Sequence, residues 1–145
     1  MLQAGTVAPS FELKDHLGRT VKLSDYKGKK VVLFFYPKAD TPGCTKQACG
    51  FRDVTAEFRK KGVPTLGISL DTVAENKAFA DKFKLEYPLL CDVDHTVALA
   101  YKTIDNLKDK YARRYTYVIG SDGEIEQAID TKDPGAQAAE LLKAI

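Results

Sequence analysis

The chain has 145 residues, 44% hydrophobic and 29% charged, with 22 lysines and arginines against 20 aspartates and glutamates. A chain of this length buries roughly 70% of its extended surface on folding, so one domain over residues 1–145 with its own core is expected, without disulfide staples. Interspersed charges summing to +2 speak against a nucleic-acid partner, and the longest apolar run, Val31–Tyr36, is the length of a strand and not of a membrane span.

Cysteines stand only at positions 44, 49 and 91, too few for a disulfide framework and enough for a reactive pair plus one. Met1–Gly5 lacks the basic region and apolar core of a signal peptide. Both features lead to the expectation of a reducing, cytoplasmic setting.

Along the chain, Ala8–Leu13 and Thr20–Leu23 alternate as short strands around a turn at Asp15–Gly18, an N-terminal hairpin. Ser24–Gly28 is suited to a single helical turn. Val31–Tyr36 is apolar without alternation, as in a central strand covered on both faces, and Pro37 ends it because proline cannot donate to a ladder. From Thr45 to Lys60 the apolar period changes to three and four, through Ala48, Phe51, Val54 and Phe58, with Gln47, Arg52, Glu57 and Lys60 left for the wetter faces. Gly62 stops this helix and Val63–Leu70 is the next strand, which completes a strand–helix–strand unit with parallel strands. A second helix is expected from a cap at Asp71 or Thr72 to Phe83, then an extended segment at 87–92 and a helix starting near Asp94. Residues 102–113 are polar and read as a loop. Tyr115–Ile119 and Glu124–Ile129 flank Gly120–Gly123 as a hairpin, and a last helix follows Asp133-Pro134-Gly135, with Ala138, Leu141, Leu142 and Ile145 on one face. The sum is a thioredoxin-like α/β sandwich: a central mixed sheet, flanking helices and an added N-terminal β-hairpin.

The chemistry concentrates between the first central strand and the first long helix. Cysteine reacts as its thiolate, and attack on a peroxide oxygen leaves a sulfenic acid. Cys44 follows Pro42-Gly43 where a helix begins, so unpaired backbone N–H groups and the positive end of the helix dipole favour negative charge on its sulfur. Gly43 permits close backbone approach, and Thr41 offers a hydroxyl three residues before the sulfur, unless it serves only as a helix cap. Cys49 is the natural partner. Five residues along an intact helix separate two Cα atoms by about 9 Å, whereas a disulfide needs them within about 7 Å. A Cys44–Cys49 bond therefore requires the first turns of the helix to unwind. A cation is also needed to hold the thiolate and the departing oxygen. Arg114 and Arg113, just before the strand at 115–119, both qualify unless they are solvated edge arginines, and Gln47 either orients such an arginine or is a surface-helix glutamine.

The segment Phe35–Asp53, with Pro37, Thr41, Pro42, Gly43, Cys44 and Cys49, resembles the active-site signature of the peroxiredoxins, and the spacing of its cysteines resembles the bacterioferritin comigratory protein, or peroxiredoxin Q, subfamily. The likeness extends over nearly the whole chain, including Ala8–Phe11 and Asp71 onward. It implies a thioredoxin-dependent peroxidase for hydrogen peroxide and organic hydroperoxides, with Cys44 peroxidatic, Cys49 resolving, Pro37 shaping the pocket and Thr41 hydrogen-bonding peroxide and thiolate. The pattern Arg114-Tyr115-Thr116-Tyr117 matches the strand that follows the family's active-site arginine, which selects Arg114. Tyr115, Tyr117 and Gly120 depart from the commoner residues there, and 106–113 looks shorter and more basic than the usual loop. The resemblance further implies a monomer, with weak pairing near the active site as the alternative.

No cofactor is expected. Metal binding is not expected either, because His16 and His95 lack compact ligand spacing, and Cys91 reads as a satisfied, partly buried thiol. Two rival readings are a disulfide oxidoreductase acting on proteins, whose usual mark of two residues between cysteines is absent, and a redox-switched binding protein.

Overall fold

The computed structural model describes residues 1–145. Strand β3 (Val31–Phe35) is buried at all five positions. Val31, Leu33 and Phe35 enter the core on one face, while Val32, Phe34 and the following Tyr36 enter the core on the other. Successive strand residues point to opposite faces, so a run that is apolar throughout occurs where both faces are covered.

Around β3 the sheet has seven strands. Parallel neighbours on one side are β4 (Thr65–Ser69) and then β5 (Leu89–Cys91). On the other side β6 (Tyr115–Ile119) runs antiparallel to β3, and β7 (Ile125–Asp130) antiparallel to β6. The N-terminal hairpin, β1 (Glu12–Asp15) and β2 (Thr20–Lys22), joins the β5 edge through Lys14 opposite Cys91. The order is β2-β1-β5-β4-β3-β6-β7. Helices α1 (Pro42–Lys60), α2 (Val73–Phe83) and α4 (Gln137–Ala144) cover one face, bringing Ala48, Phe51, Phe58, Phe79, Ala138 and Leu141 into its core. There the Phe34 and Phe51 rings stack with centroids 4.6 Å apart. The other face is covered by α3 (Thr96–Ala100), a short 3-10 turn at Leu23–Tyr26 and the N-terminal segment. This is the thioredoxin-like α/β sandwich with an added hairpin.

Several boundaries differ from the expectation. Helix α1 begins at Pro42, not Thr45; a proline at the first helical position loses no bond, since that N–H has no partner inside a helix. Ala8–Ser10 does not join the hairpin, although the Phe11 carbonyl still accepts the Leu23 N–H at 3.2 Å. Pro9 has no N–H for a ladder, and the chain crosses to β7 instead, where Val7 bridges Glu124 and the Ala8 N–H donates to the Gly123 carbonyl. The strand after Gly62 starts at Thr65, past Pro64, although the Pro64 carbonyl still accepts the Val32 N–H. The second helix follows the expectation: Thr72 caps it, with its hydroxyl accepting the Glu75 N–H and the Glu75 side chain returning to Thr72. The helix anticipated near Asp94 starts at Thr96, because the buried Asp92 carboxylate takes the N–H groups of Val97 and Ala98.

Candidate active site

Three pieces of backbone converge at the carboxyl end of β3. Pro37 opens a half-buried loop there, and Asp40 turns it sharply with a left-handed φ of 59°. The loop is tied down from the α2 side. One Asp71 oxygen accepts the Ala39 N–H at 2.8 Å and the Ser69 hydroxyl at 2.7 Å, and Lys82 pairs with Asp40 at 3.0 Å. The chain then enters α1, which places Cys44 in its first turn and Cys49 in its second. From the other side comes the residue before β6. Phe34 pairs with Thr116, and two residues further along that register Arg114 stands level with Tyr36, on the face that α1 covers.

Cys44 is buried, with 1% of its surface exposed. The Arg114 Nη1 group donates to its Sγ at 3.3 Å and to Gln47 Oε1 at 3.0 Å. A guanidinium carries its charge at all ordinary pH values, so a fixed positive charge faces the sulfur in a setting largely shielded from water. Arg113 does not reach it. Strand alternation turns Arg113 to the opposite side, where it pairs with Asp105 at 2.7 Å. Of the two arginines that qualified by sequence, only Arg114 is brought to Cys44.

Gly43 has a specific reason for lacking a side chain. A Cβ built there would lie 2.9 Å from Arg114 Nη2, so the guanidinium rests directly on the backbone of the helix start. Thr41 occupies the N-cap position without capping. Its hydroxyl donates to the Lys38 carbonyl at 2.7 Å, which leaves the first-turn amides of Gly43 and Cys44 without the side-chain acceptor usual at this position. The structure thus puts Thr41 and Pro37 in the loop that leads into Cys44, with no hydrogen bond from either to the sulfur.

Gln47, assigned by periodicity to the wetter face, is fully buried. Its amide is used at both ends: the oxygen accepts from Arg114, and the nitrogen donates to Gln137 Oε1 at 2.7 Å. A buried polar side chain is tolerated where its groups are paired. Gln137, Thr116 and Thr131, which complete this arrangement, were not among the expected site residues. The signal available for Gln137 was its polar character beside the apolar stripe of α4.

All three cysteines are free thiols. Cys49 is half-buried, and burial pushes its thiol above the ordinary range, offset by nearby Arg52. Cys44 and Cys49 both lie inside regular helix, where their Cα atoms are about 9 Å apart, beyond disulfide reach. Cys91 is buried in β5, next to neither of them in the sheet or helix, and accepts a hydrogen bond from Asn76 Nδ2 at 3.3 Å. A buried thiol under an arginine at a helix start, with a second thiol on the same helix, defines a cysteine-based redox enzyme of the thioredoxin fold.

Comparison with known proteins narrows this. Residues 4–128 match the AhpC/TSA family. The chain is 43% identical over 142 residues to the chloroplastic peroxiredoxin Q of Triticum aestivum, covering 97% of this chain and 65% of that protein's length. It is 42% identical over 139 residues to peroxiredoxin Bcp of Escherichia coli K12, covering 89% of this chain and 86% of that one. Among solved structures, peroxidoxin BcpB of Mycobacterium tuberculosis superposes with a TM-score of 0.89 at 38% identity, over 100% of this chain and 99% of that one. A cysteine-to-serine mutant of Xanthomonas campestris peroxiredoxin Q gives 0.89 at 28% identity, over 99% and 97%. The chain belongs to the peroxiredoxins, thiol peroxidases of the AhpC/TSA family, in the bacterioferritin comigratory protein and peroxiredoxin Q subfamily. No helix is long and apolar enough to cross a membrane.

Proposed function

We propose that this chain reduces hydrogen peroxide and organic hydroperoxides with Cys44 as the attacking thiol and Cys49 as the resolving one, and that a thioredoxin or similar dithiol recycles it. The observation that carries the reading is the Arg114 guanidinium at 3.3 Å from a cysteine sulfur in the first turn of a helix.

In the first step the Cys44 thiolate attacks the terminal peroxide oxygen and the O–O bond breaks. The sulfur is oxidised to sulfenic acid, and the departing hydroxide or alkoxide takes a proton to leave as water or alcohol. Arg114 faces the atoms where negative charge develops, the placement that lowers such a barrier. Peroxide entry is assigned to the 37–43 loop, which carries Pro37 and Thr41 and leads into the buried Cys44. In the second step α1 unwinds over its first turns, the Cys49 thiol gives up its proton and attacks the Cys44 sulfur, and the S–O bond breaks, the departing hydroxide taking up a proton to leave as water. The product is a disulfide, which the external dithiol reduces by exchange.

Cys49 suits this order of events. Burial pushes its thiol above the ordinary range while the helix is folded, with Arg52 opposing in part, and unwinding that exposes the sulfur removes that penalty on its thiolate. Both cysteines sit on one helix, so one chain over residues 1–145, acting as a single domain and a monomer, completes the cycle. Three cysteines, too few for a disulfide framework, suit a reducing compartment such as the cytoplasm. The test is peroxide consumption with a dithiol reductant: Cys44→Ser is expected to abolish turnover, and turnover retained in that variant overturns the assignment.

A further inference from the structure

The amides around Gln47 have a direction that chemistry alone determines. Arginine has only donors, so the Gln47 group facing Arg114 is its oxygen, and its nitrogen faces outward. That nitrogen needs an acceptor, which makes Oε1 the atom of Gln137 that meets it, at 2.7 Å. The Gln137 nitrogen then donates to Thr131 Oγ1 at 2.9 Å. Thr116 donates its one proton to Gln137 Oε1 at 3.2 Å, so the remaining contact, 3.3 Å between the two threonine oxygens, carries the proton of Thr131. The result is a closed ring of Gln137, Thr131 and Thr116 in which the donor of each bond is fixed. It is anchored on β6, on the residue just after β7 and on α4, and it presents a single acceptor to Gln47. Gln137 is 5% exposed and Thr116 and Gln47 are fully buried, so water is poorly placed to substitute for a missing member.

We infer that Gln137 is a positioning residue of the peroxidase: through Gln47 it fixes the Arg114 guanidinium against Cys44, and it resists the unwinding that lets Cys49 reach that sulfur. This rests on the function proposed above. Two consequences of opposite sign follow. With the acceptor gone, the Gln47 amide is free to turn, and the guanidinium loses the partner that holds it over the sulfur, which slows the attack on peroxide. The same loss removes a tie between α4 and the helical segment 44–49, which speeds formation of the disulfide once the sulfenic acid exists. Gln47 lies between the two cysteines, so this bond is stretched or broken whenever that segment unwinds.

The test separates the two steps by rapid mixing of the reduced full-length protein with hydrogen peroxide, following sulfenic acid formation and then disulfide closure. Gln137→Met matches the length of glutamine and removes the acceptor. It is expected to slow the first step about tenfold, the scale on which a small misplacement of a reacting group is felt, and to speed the second severalfold. Gln137→Glu restores the acceptor toward Gln47 and is expected to recover most of the first-step rate. A general loss of packing would lower stability and slow peroxide attack without speeding closure, and Glu would not restore it. Unchanged rates for both steps in Gln137→Met, or slowing of both, overturn the inference. If wild-type protein forms no sulfenic acid, the peroxidase reading itself fails, and that outcome is visible before any variant is made.

Discussion

The molecule contains two buried thiols that each accept a nitrogen donor at 3.3 Å, yet their surroundings differ in charge and in backbone setting. Cys44 takes its bond from the charged Arg114 at the start of a helix, where backbone amides point outward. Cys91 takes its bond from the neutral Asn76 amide, and its own S–H points to the Leu89 carbonyl at 3.6 Å inside a strand. Burial pushes the Cys91 thiol above its ordinary range, with the Asn76 bond opposing in part. Exposure does not distinguish the pair, at 1% and 4%. The difference is that one sulfur meets a fixed positive charge and the other only a dipole. For a nucleophile that works as an anion, the charge of its donor matters more than the number of its contacts.

This contrast can be broken from the Cys44 side most severely. Arg114→Met keeps the apolar stem and removes the charge. Peroxide attack by Cys44 is expected to fall about 10²–10³-fold, the cost of removing one preorganised donor from developing charge. Second-order rate constants from stopped-flow mixing would measure it, and a loss below about threefold would make Cys44 no different in kind from Cys91. Gly43→Ala should have a smaller effect. Its methyl meets the end of the Arg114 side chain, which moves more readily than backbone, so the fold survives while the guanidinium shifts. The expected loss is about tenfold in the same rate constant, with an unchanged circular-dichroism spectrum. Cys91→Ser should have the smallest effect. The serine hydroxyl takes over the Asn76 and Leu89 contacts, and peroxide turnover is expected to stay within about twofold of wild type. A large loss in steady-state assays would assign Cys91 a part in the cycle.

How much of this is legible in the chain depends on how far apart in sequence the interacting groups lie. Strand β3 is plain because its residues are apolar without a period, and β6–β7 because Gly120–Gly123 joins two alternating runs. Cys44, Cys49 and their helix lie within one continuous stretch, so the two cysteines can be read together, and helix geometry alone keeps them apart while α1 is regular. The start of α1 is displaced by three residues from the expected one because the apolar stripe begins later than the backbone does; Pro42 sits at the position proline favours. Gln47 is misassigned to a wet face because periodicity counts a polar side chain as solvated unless its partners are known. Those partners, Arg114 and Gln137, are 67 and 90 residues away, and only the sheet order brings them together. The choice between Arg113 and Arg114 is a matter of which face each meets, settled in space by the Phe34–Thr116 register.

Gly43 and Gly50 act as a pair. The first admits the Arg114 guanidinium, and the second lets the Gly135 carbonyl approach to 3.3 Å of where a Cβ would stand. Gly50, inside the helix, is about 1 kcal/mol poorer than alanine at holding it, and with Gly43 in the first turn it brackets the segment from Cys44 to Cys49. The missing methyls that let α1 seat closely against its neighbours therefore also mark out a perforation in the helix. Contacts across the seam hold the helix together there, and in the proposed cycle this is the stretch that would part once they loosen.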